Sequence, residues 1–234
     1  SQFTIRGHYT RSDKLGRFFK TMMWFGTAAF SFNDLNNIYQ SLLISYTTFL
    51  DTDYICDAQL WNNIYQPTEQ YVGVSDDINV FMMNGLRLDV FGETDDPNIF
   101  NDEEYKEKLQ EAVKDLPEPR IQGKFIGLTT PTEKQFRYMG QRYILDSFIM
   151  QELMESILRP LPSALDPMGV MGSSFAEDLL FNYYKPQEAW PDYEENYNKL
   201  KEEVSGYGVD TWGDNLYNGW LWSIKENLTE YDND

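Results

Sequence analysis

The chain has 234 residues, 41% hydrophobic and 16% aromatic, and a formal net charge of −19. That length and ring content suit one large core or two small ones and favour a packed globular protein over a disordered chain, while the charge makes nucleic acid a poor partner and disfavours an anionic membrane. A single cysteine, Cys56, leaves no internal disulfide and no thiol pair, and no apolar run approaches the roughly 20 residues of a transmembrane helix.

Helical periodicity dominates from the start. Ser12 is placed as the N-cap of a helix with Leu15, Phe18, Phe19, Met22, Met23 and Gly26 on one face. Asn33 is expected to cap a second helix, in which Leu35, Ile38, Tyr39, Leu42, Leu43, Tyr46 and Phe49 keep the three–four spacing. A third begins at Asp51 or Thr52, runs past Cys56, read as a small buried residue, and is expected to stop at Pro67. A fourth covers 75–90. Residues 92–101 read as an acidic loop, and Asp102 then opens a charged helix to Lys114 that ends at Pro117 and Pro119.

The stretch 120–135 is the least helical; Ile121, Phe125, Ile126 and Leu128 predict one or two short strands near 120–130. Helices resume over 144–158, 163–171, 173–183, 192–204 and 210–228, the last with Trp212, Leu216, Tyr217, Trp220, Leu221 and Ile224 on one stripe. The resulting class is all-α: an array or bundle of about nine or ten helices, in one domain over 1–234 with a weak boundary near 116–131.

Two basic windows depart from the acidic background. Residues 1–20 carry Arg6, Arg11, Lys14, Arg17 and Lys20 against Asp13 alone, and residues 120–142 carry Arg120, Lys124, Lys134, Arg137 and Arg142 against Glu133 alone. Together they hold 10 of the 19 cations and 2 of the 38 acids. If they converge, His8, Tyr9, Arg11, Arg137 and Arg142 would form an anion-accepting site, because arginine forks suit carboxylate, sulfate or phosphate oxygens. The alternative is that the arginines cross-link helices through acids such as Asp146, Glu152 and Asp166.

Catalysis has three candidates in His8, Asp146 and Asp166. His8, the only histidine, can serve as general base, proton shuttle or lone metal ligand, with a purely structural role as the alternative. A glycosidase needs two carboxylates roughly 5–10 Å apart, and the many Trp and Tyr rings would suit sugar stacking; acids on helix faces are otherwise simply solvated. Zinc is not expected without thiol ligands. Asp95, Asp96 and Asp102 offer hard oxygens for calcium but lack the EF-hand spacing and its glycine, so no metal or cofactor is assigned beyond that one calcium candidate. The run Gly169-Val170-Met171-Gly172-Ser173-Ser174 has no lysine and no preceding strand and reads as a helix break rather than a phosphate loop. Met22-Met23-Trp24 reads as core, with a soft partner-binding surface as the alternative.

Several segments carry a resemblance. Gly7-His8-Tyr9-Thr10-Arg11-Ser12 with Met22-Met23-Trp24, then Phe136-Arg137-Tyr138-Met139-Gly140-Gln141-Arg142 with Asp146, then Leu161-Pro162-Ser163-Ala164-Leu165-Asp166 with Gly172-Ser173, and finally Tyr217 and Trp220-Leu221, follow one another in a specific order. In that order they resemble a bacterial domain-of-unknown-function family, the one numbered thirty-one sixty, found in secreted and lipoprotein-type chains. The resemblance implies placement outside the cytoplasm, secreted or attached to the envelope. Because members are longer, it also implies a fragment that contacts a further C-terminal segment. It supplies no activity.

Three readings follow. The first is a binding or surface-associated domain for a small anionic or polymeric ligand, which expects a concave patch at Arg11, Arg137 and Arg142. The second is a hydrolase of envelope or environmental polymers using His8 or a carboxylate, which expects those groups open to solvent in a cleft. The third is a scaffold without a small-molecule site, which expects an exposed apolar patch near Met22-Met23-Trp24.

Overall fold

The hydroxyl of Ser12 accepts the Leu15 N–H at 3.2 Å and starts helix α1 (Asp13–Thr27), as its position in the sequence predicts. A computed structural model describes residues 2–50, 56–121, 133–154 and 156–231, with side chains through Leu228. Its helices in chain order are α1, α2 (Leu35–Thr48), α3 (Asp57–Val72), α4 (Val80–Phe91), α5 (Glu103–Lys114), α6 (Leu145–Glu152), α7 (Leu165–Val170), α8 (Ser174–Asp178), α9 (Pro186–Ala189), α10 (Tyr193–Ser205), α11 (Val209–Gly213) and α12 (Leu216–Tyr231). Short 3-10 turns cover Gly7–Arg11 and Pro97–Asn101, and a π-helical segment covers Leu179–Tyr184. With only the two-stranded sheet of β1 (Ala29–Ser31) and β2 (Gln135–Arg137) beside these helices among the described residues, the chain is all-α.

The chain forms two compact units, the first of Ser1–Gln66, Ser75–Pro119 and Pro131–Arg142, the second of Pro67–Val74, Arg120–Thr130 and Tyr143–Asp234. In the first unit α2 packs on α4, and their apolar faces close around Leu42, Ile78, Val80, Met83, Leu109 and Phe136, each at most 1% exposed. Burial of each such side chain contributes roughly 1.5–3 kcal/mol. The sheet covers one side of this core: β1 and β2 run antiparallel with Phe30 opposite Phe136, and Ile78 bridges to Phe136 from its other flank. The second unit has its own core of Ile149, Leu153, Val170, Leu180, Tyr193, Tyr197 and Trp212, built by α6, α7, α10 and α11.

Several boundaries differ from the sequence reading, each for a local reason. Asp34, not Asn33, caps α2 by accepting the Asn36 N–H at 2.9 Å. α3 continues through Pro67 to Val72; a proline removes one donor, a cost of about 3 kcal/mol, which the burial of Trp61 and Tyr65 offsets. α4 begins at Val80 because Ser75 and Ile78 are drawn into bridges with Arg142 and Phe136, and Asn79 then caps the helix. The expected helix over 144–158 stops at Glu152, and Leu158 turns left-handed at φ 58°. The single helix expected over 210–228 is two, split after Gly213, with Asn215 Oδ1 accepting the Asn218 N–H at 2.9 Å. The strands expected near 120–130 fall largely on residues 122–132, outside the described residues, as do Lys124 and the proposed start at Asp51 or Thr52. The strand at Ala29–Ser31 was not anticipated.

Candidate functional site

The first basic window lies open. Arg6, His8, Arg11, Lys14, Arg17 and Lys20 are all exposed, and none makes an ion pair with a described residue. They are placed by the 3-10 turn Gly7–Arg11 and the first half of α1, with Tyr9 as anchor: its ring lies 4.0 Å from His8 and 5.1 Å from Phe19. Ser12 fixes the passage from the turn into α1. On the same helix Phe18 is 44% and Trp24 62% exposed, while Met22 and Met23 are half-buried.

The described cations of the second window are engaged internally. Arg137 donates to Asp77 at 3.3 Å, Arg142 lies 3.9 Å over the Tyr65 ring and Arg120 donates to Glu203 at 2.8 Å. Lys134 donates to the carbonyls of Val113 and Lys114 at the end of α5. Within the first unit α1 does reach the second window, but through its far end, where Phe25 meets Tyr138 at 4.9 Å and Gly26 closes on the Met139 carbonyl.

Asp77 organises the motif around Arg137. Its carboxylate, 3% exposed, accepts from Gln135 at 2.6 Å as well as from Arg137. Gly140 is required there, since a Cβ would stand 2.8 Å from both the Asp77 carboxylate and the Ser75 hydroxyl. Burial raises the Asp77 pKa, and nearby Asp76 adds to the shift; Arg137 and Gln135 oppose it. The folded state therefore holds this proton more tightly than the unfolded chain, so the contribution of Asp77 to stability is fullest below the ordinary carboxylate value of about 4 and falls as pH rises through the elevated one. Urea midpoints should show the wild type gaining on Asp77→Asn as pH drops from 7 toward 4.5. A constant difference would contradict the burial argument.

The other carboxylates singled out by sequence have partners. Asp166, 0% exposed, pairs with Arg159 at 2.7 Å and also accepts from the Tyr193 hydroxyl and the Ser163 N–H. Asp146 is half-buried and accepts from Tyr217 at 3.0 Å, which with burial as the larger cause pushes the Tyr217 phenol up to about 12. Glu152 accepts from Ser156. In the calcium candidate, Asp96 and Asp102 accept backbone N–H groups at the starts of the Pro97–Asn101 turn and α5, and the Asp95 carbonyl accepts from Tyr46. No cluster of three or more metal-binding side chains occurs among the described residues. Cys56 is half-buried, its thiol 3.8 Å from the Thr48 carbonyl.

Sequence reasoning missed the cleft of the second unit. It has a volume of about 560 Å³ and is lined by Arg120, Tyr143, Leu145, Glu203, Tyr207, Asp210, Thr211, Trp212, Asp214 and Asn218. Glu203 and Tyr207 are four apart at the end of α10, so the Tyr207 hydroxyl donates to Glu203 at 2.9 Å, and the same carboxylate holds Arg120. Arg120 is sandwiched against Tyr143 at 4.8 Å and Phe148 at 4.1 Å. Burial drives the Tyr143 phenol far above its ordinary pKa, Glu203 and Tyr207 acting in the same direction and Arg120 against it. The phenol therefore stays a donor at any physiological pH. The Glu203–Tyr207 spacing was the only signal in the sequence, because Arg120 lies 83 residues from its carboxylate. A second cleft, of about 480 Å³ in the first unit, lies between the start of α2 and the Pro97–Asn101 turn.

A family model described as Protein of unknown function (DUF3160) matches residues 1–234. No curated protein and no solved structure matches the chain. No described helix is long and apolar enough to cross a membrane.

Proposed function

The chain belongs to this family of unknown function, and from that premise we propose that it is a binding module of the bacterial cell exterior whose N-terminal basic face accepts an anionic polymer. One observation carries the reading: five cations between Arg6 and Lys20 stand exposed and unpaired with any described residue in a chain of net charge −19. Exposed acids are abundant in this protein, and surface pairing would have been easy. A free basic face inside an acidic field attracts a polyanion locally while the rest of the surface repels it, which gives orientation as well as affinity. Arg11 and Arg17 supply the forks for phosphate or carboxylate oxygens, and His8 adds a further donor at the same end.

Arg137 and Arg142 contribute differently. Held by Asp77 and Tyr65, they fix the motif on which the far end of α1 rests. Placement outside the cytoplasm, secreted or envelope-attached, is supported by the resemblance to secreted and lipoprotein-type chains. For the hydrolase alternative the residues named from sequence offer less, because Asp166 is sealed and Asp146 is engaged by Tyr217, leaving His8 alone exposed.

The test is titration with inorganic polyphosphate, followed by calorimetry at two salt concentrations. Binding should weaken steeply between about 0.05 and 0.5 M salt, and Arg11→Glu with Arg17→Glu should weaken it at least about tenfold with no change in melting behaviour. Equal binding by wild type and variant would sink the proposal.

A further inference from the structure

The geometry points to the cleft of the second unit as a binding site for a neutral, polyhydroxylated ligand, the chemical class of a short oligosaccharide. The cleft is independent of the basic N-terminal face, since every residue that lines it belongs to the second unit. Its volume of about 560 Å³ lies within the roughly 300–1,000 Å³ of small-molecule pockets.

The side chains select the ligand class by charge. An anion would meet Asp210 and Asp214, both exposed on the wall, along with Glu203. A cation would meet Arg120, which Glu203 and the rings of Tyr143 and Phe148 hold in place. Neither charged class is complementary to the whole wall. A hydroxyl group is, because it donates and accepts at once: it can give its proton to a carboxylate and receive one from a guanidinium, amide or phenol.

Two further observations favour such a ligand. The Tyr143 hydroxyl is buried and, apart from its approach to Tyr207, meets no well-formed hydrogen bond among the described residues. A buried donor so poorly satisfied is costly, and a ligand hydroxyl arriving beside it would complete its bonding. The aromatic lining is the second: the half-buried rings of Tyr143 and Tyr207 stand on the wall, with the buried Trp212 packed edge to face behind Tyr207 at 5.6 Å. Such rings offer apolar surface to the C–H faces of a sugar ring while the surrounding polar groups take its hydroxyls.

Cellotriose, maltotriose and chitotriose serve as neutral probes in calorimetric titration, with spermidine and polyphosphate as cationic and anionic comparisons. At least one trisaccharide should bind, and both Tyr143→Phe and Asn218→Ala should weaken it about five- to tenfold, since each removes one hydrogen-bonding group. Thermal melts of both variants confirm that the unit remains folded. Arg11→Glu with Arg17→Glu should leave sugar binding unchanged, which separates this site from the basic face. The inference is overturned if none of the three sugars binds up to about 10 mM. It is equally overturned if binding survives both cleft variants, or if spermidine or polyphosphate proves to be the ligand that those variants lose.

Discussion

Replacing Asp166 by alanine should cost about 3–5 kcal/mol, the loss expected when one member of a buried ion pair is removed. The Arg159 side chain is only 10% exposed and Asp166 fully buried, so the guanidinium left behind would keep its charge in a site that water barely reaches. Three groups lose their acceptor at once: the Arg159 guanidinium, the Tyr193 hydroxyl at 2.8 Å and the Ser163 N–H at 3.0 Å. Arg159 retains the Leu153 carbonyl and its approach to the rings of Trp190 and Tyr193, which softens the loss without replacing the carboxylate. Removing both charges with Arg159→Met and Asp166→Leu should recover a large part of the stability, since paired burial and apolar packing come close in energy. Denaturant melts of the two single variants and the double variant measure the coupling directly. A double variant as unstable as Asp166→Ala would show that the loss lies in the backbone turn and not in the pair.

That turn also shows where sequence reading stops. Features set by neighbours a few residues apart were legible: the Ser12 cap, the Asp102 cap and the three–four spacing that builds α2. The all-α class followed from that spacing. Features set by distant partners were not legible. Nothing near 150 announces that the helix ends at Glu152 and that Arg159 reaches forward to Asp166. The pairing of Ala29–Ser31 with Gln135–Arg137 joins two three-residue segments too short to carry an alternation signal. Pro67 misled because its local cost is real and its offset lies in the burial of Trp61 and Tyr65.

The candidate sites divide in the same way. The charge windows were legible as anomalies of composition, because counting needs no fold. Which cations stay free needed the structure: those of the first window have no described partner, while Arg137 found Asp77 some 60 residues away. The cleft of the second unit escaped entirely, since its wall joins Arg120 to residues beyond 200 and each contributor alone looks like an ordinary surface group.

Gly169→Ala is the smallest substitution with a large expected effect. In the run 169–174 a glycine was read as a helix break, yet Gly169 lies inside α7, where the reason for it is space. A Cβ at this position would stand 2.5 Å from the Tyr197 hydroxyl, 3.3 Å from its ring and 3.4 Å from Leu180. Tyr197 and Leu180 are both at most 1% exposed, so neither can swing toward solvent to make room. Alanine is the better helix former by roughly 0.5–1 kcal/mol, but forcing an added methyl into a packed core costs about 1–3 kcal/mol, and the contact here is at the severe end. Overpacking wins, and Gly169→Ala should lower the melting temperature of the chain. Pairing it with Tyr197→Phe, which deletes the clashing oxygen, should return most of the loss and expose the helix-propensity gain. If Gly169→Ala alone stabilises the protein, α7 and α10 do not approach as closely as their packing around Tyr197 requires.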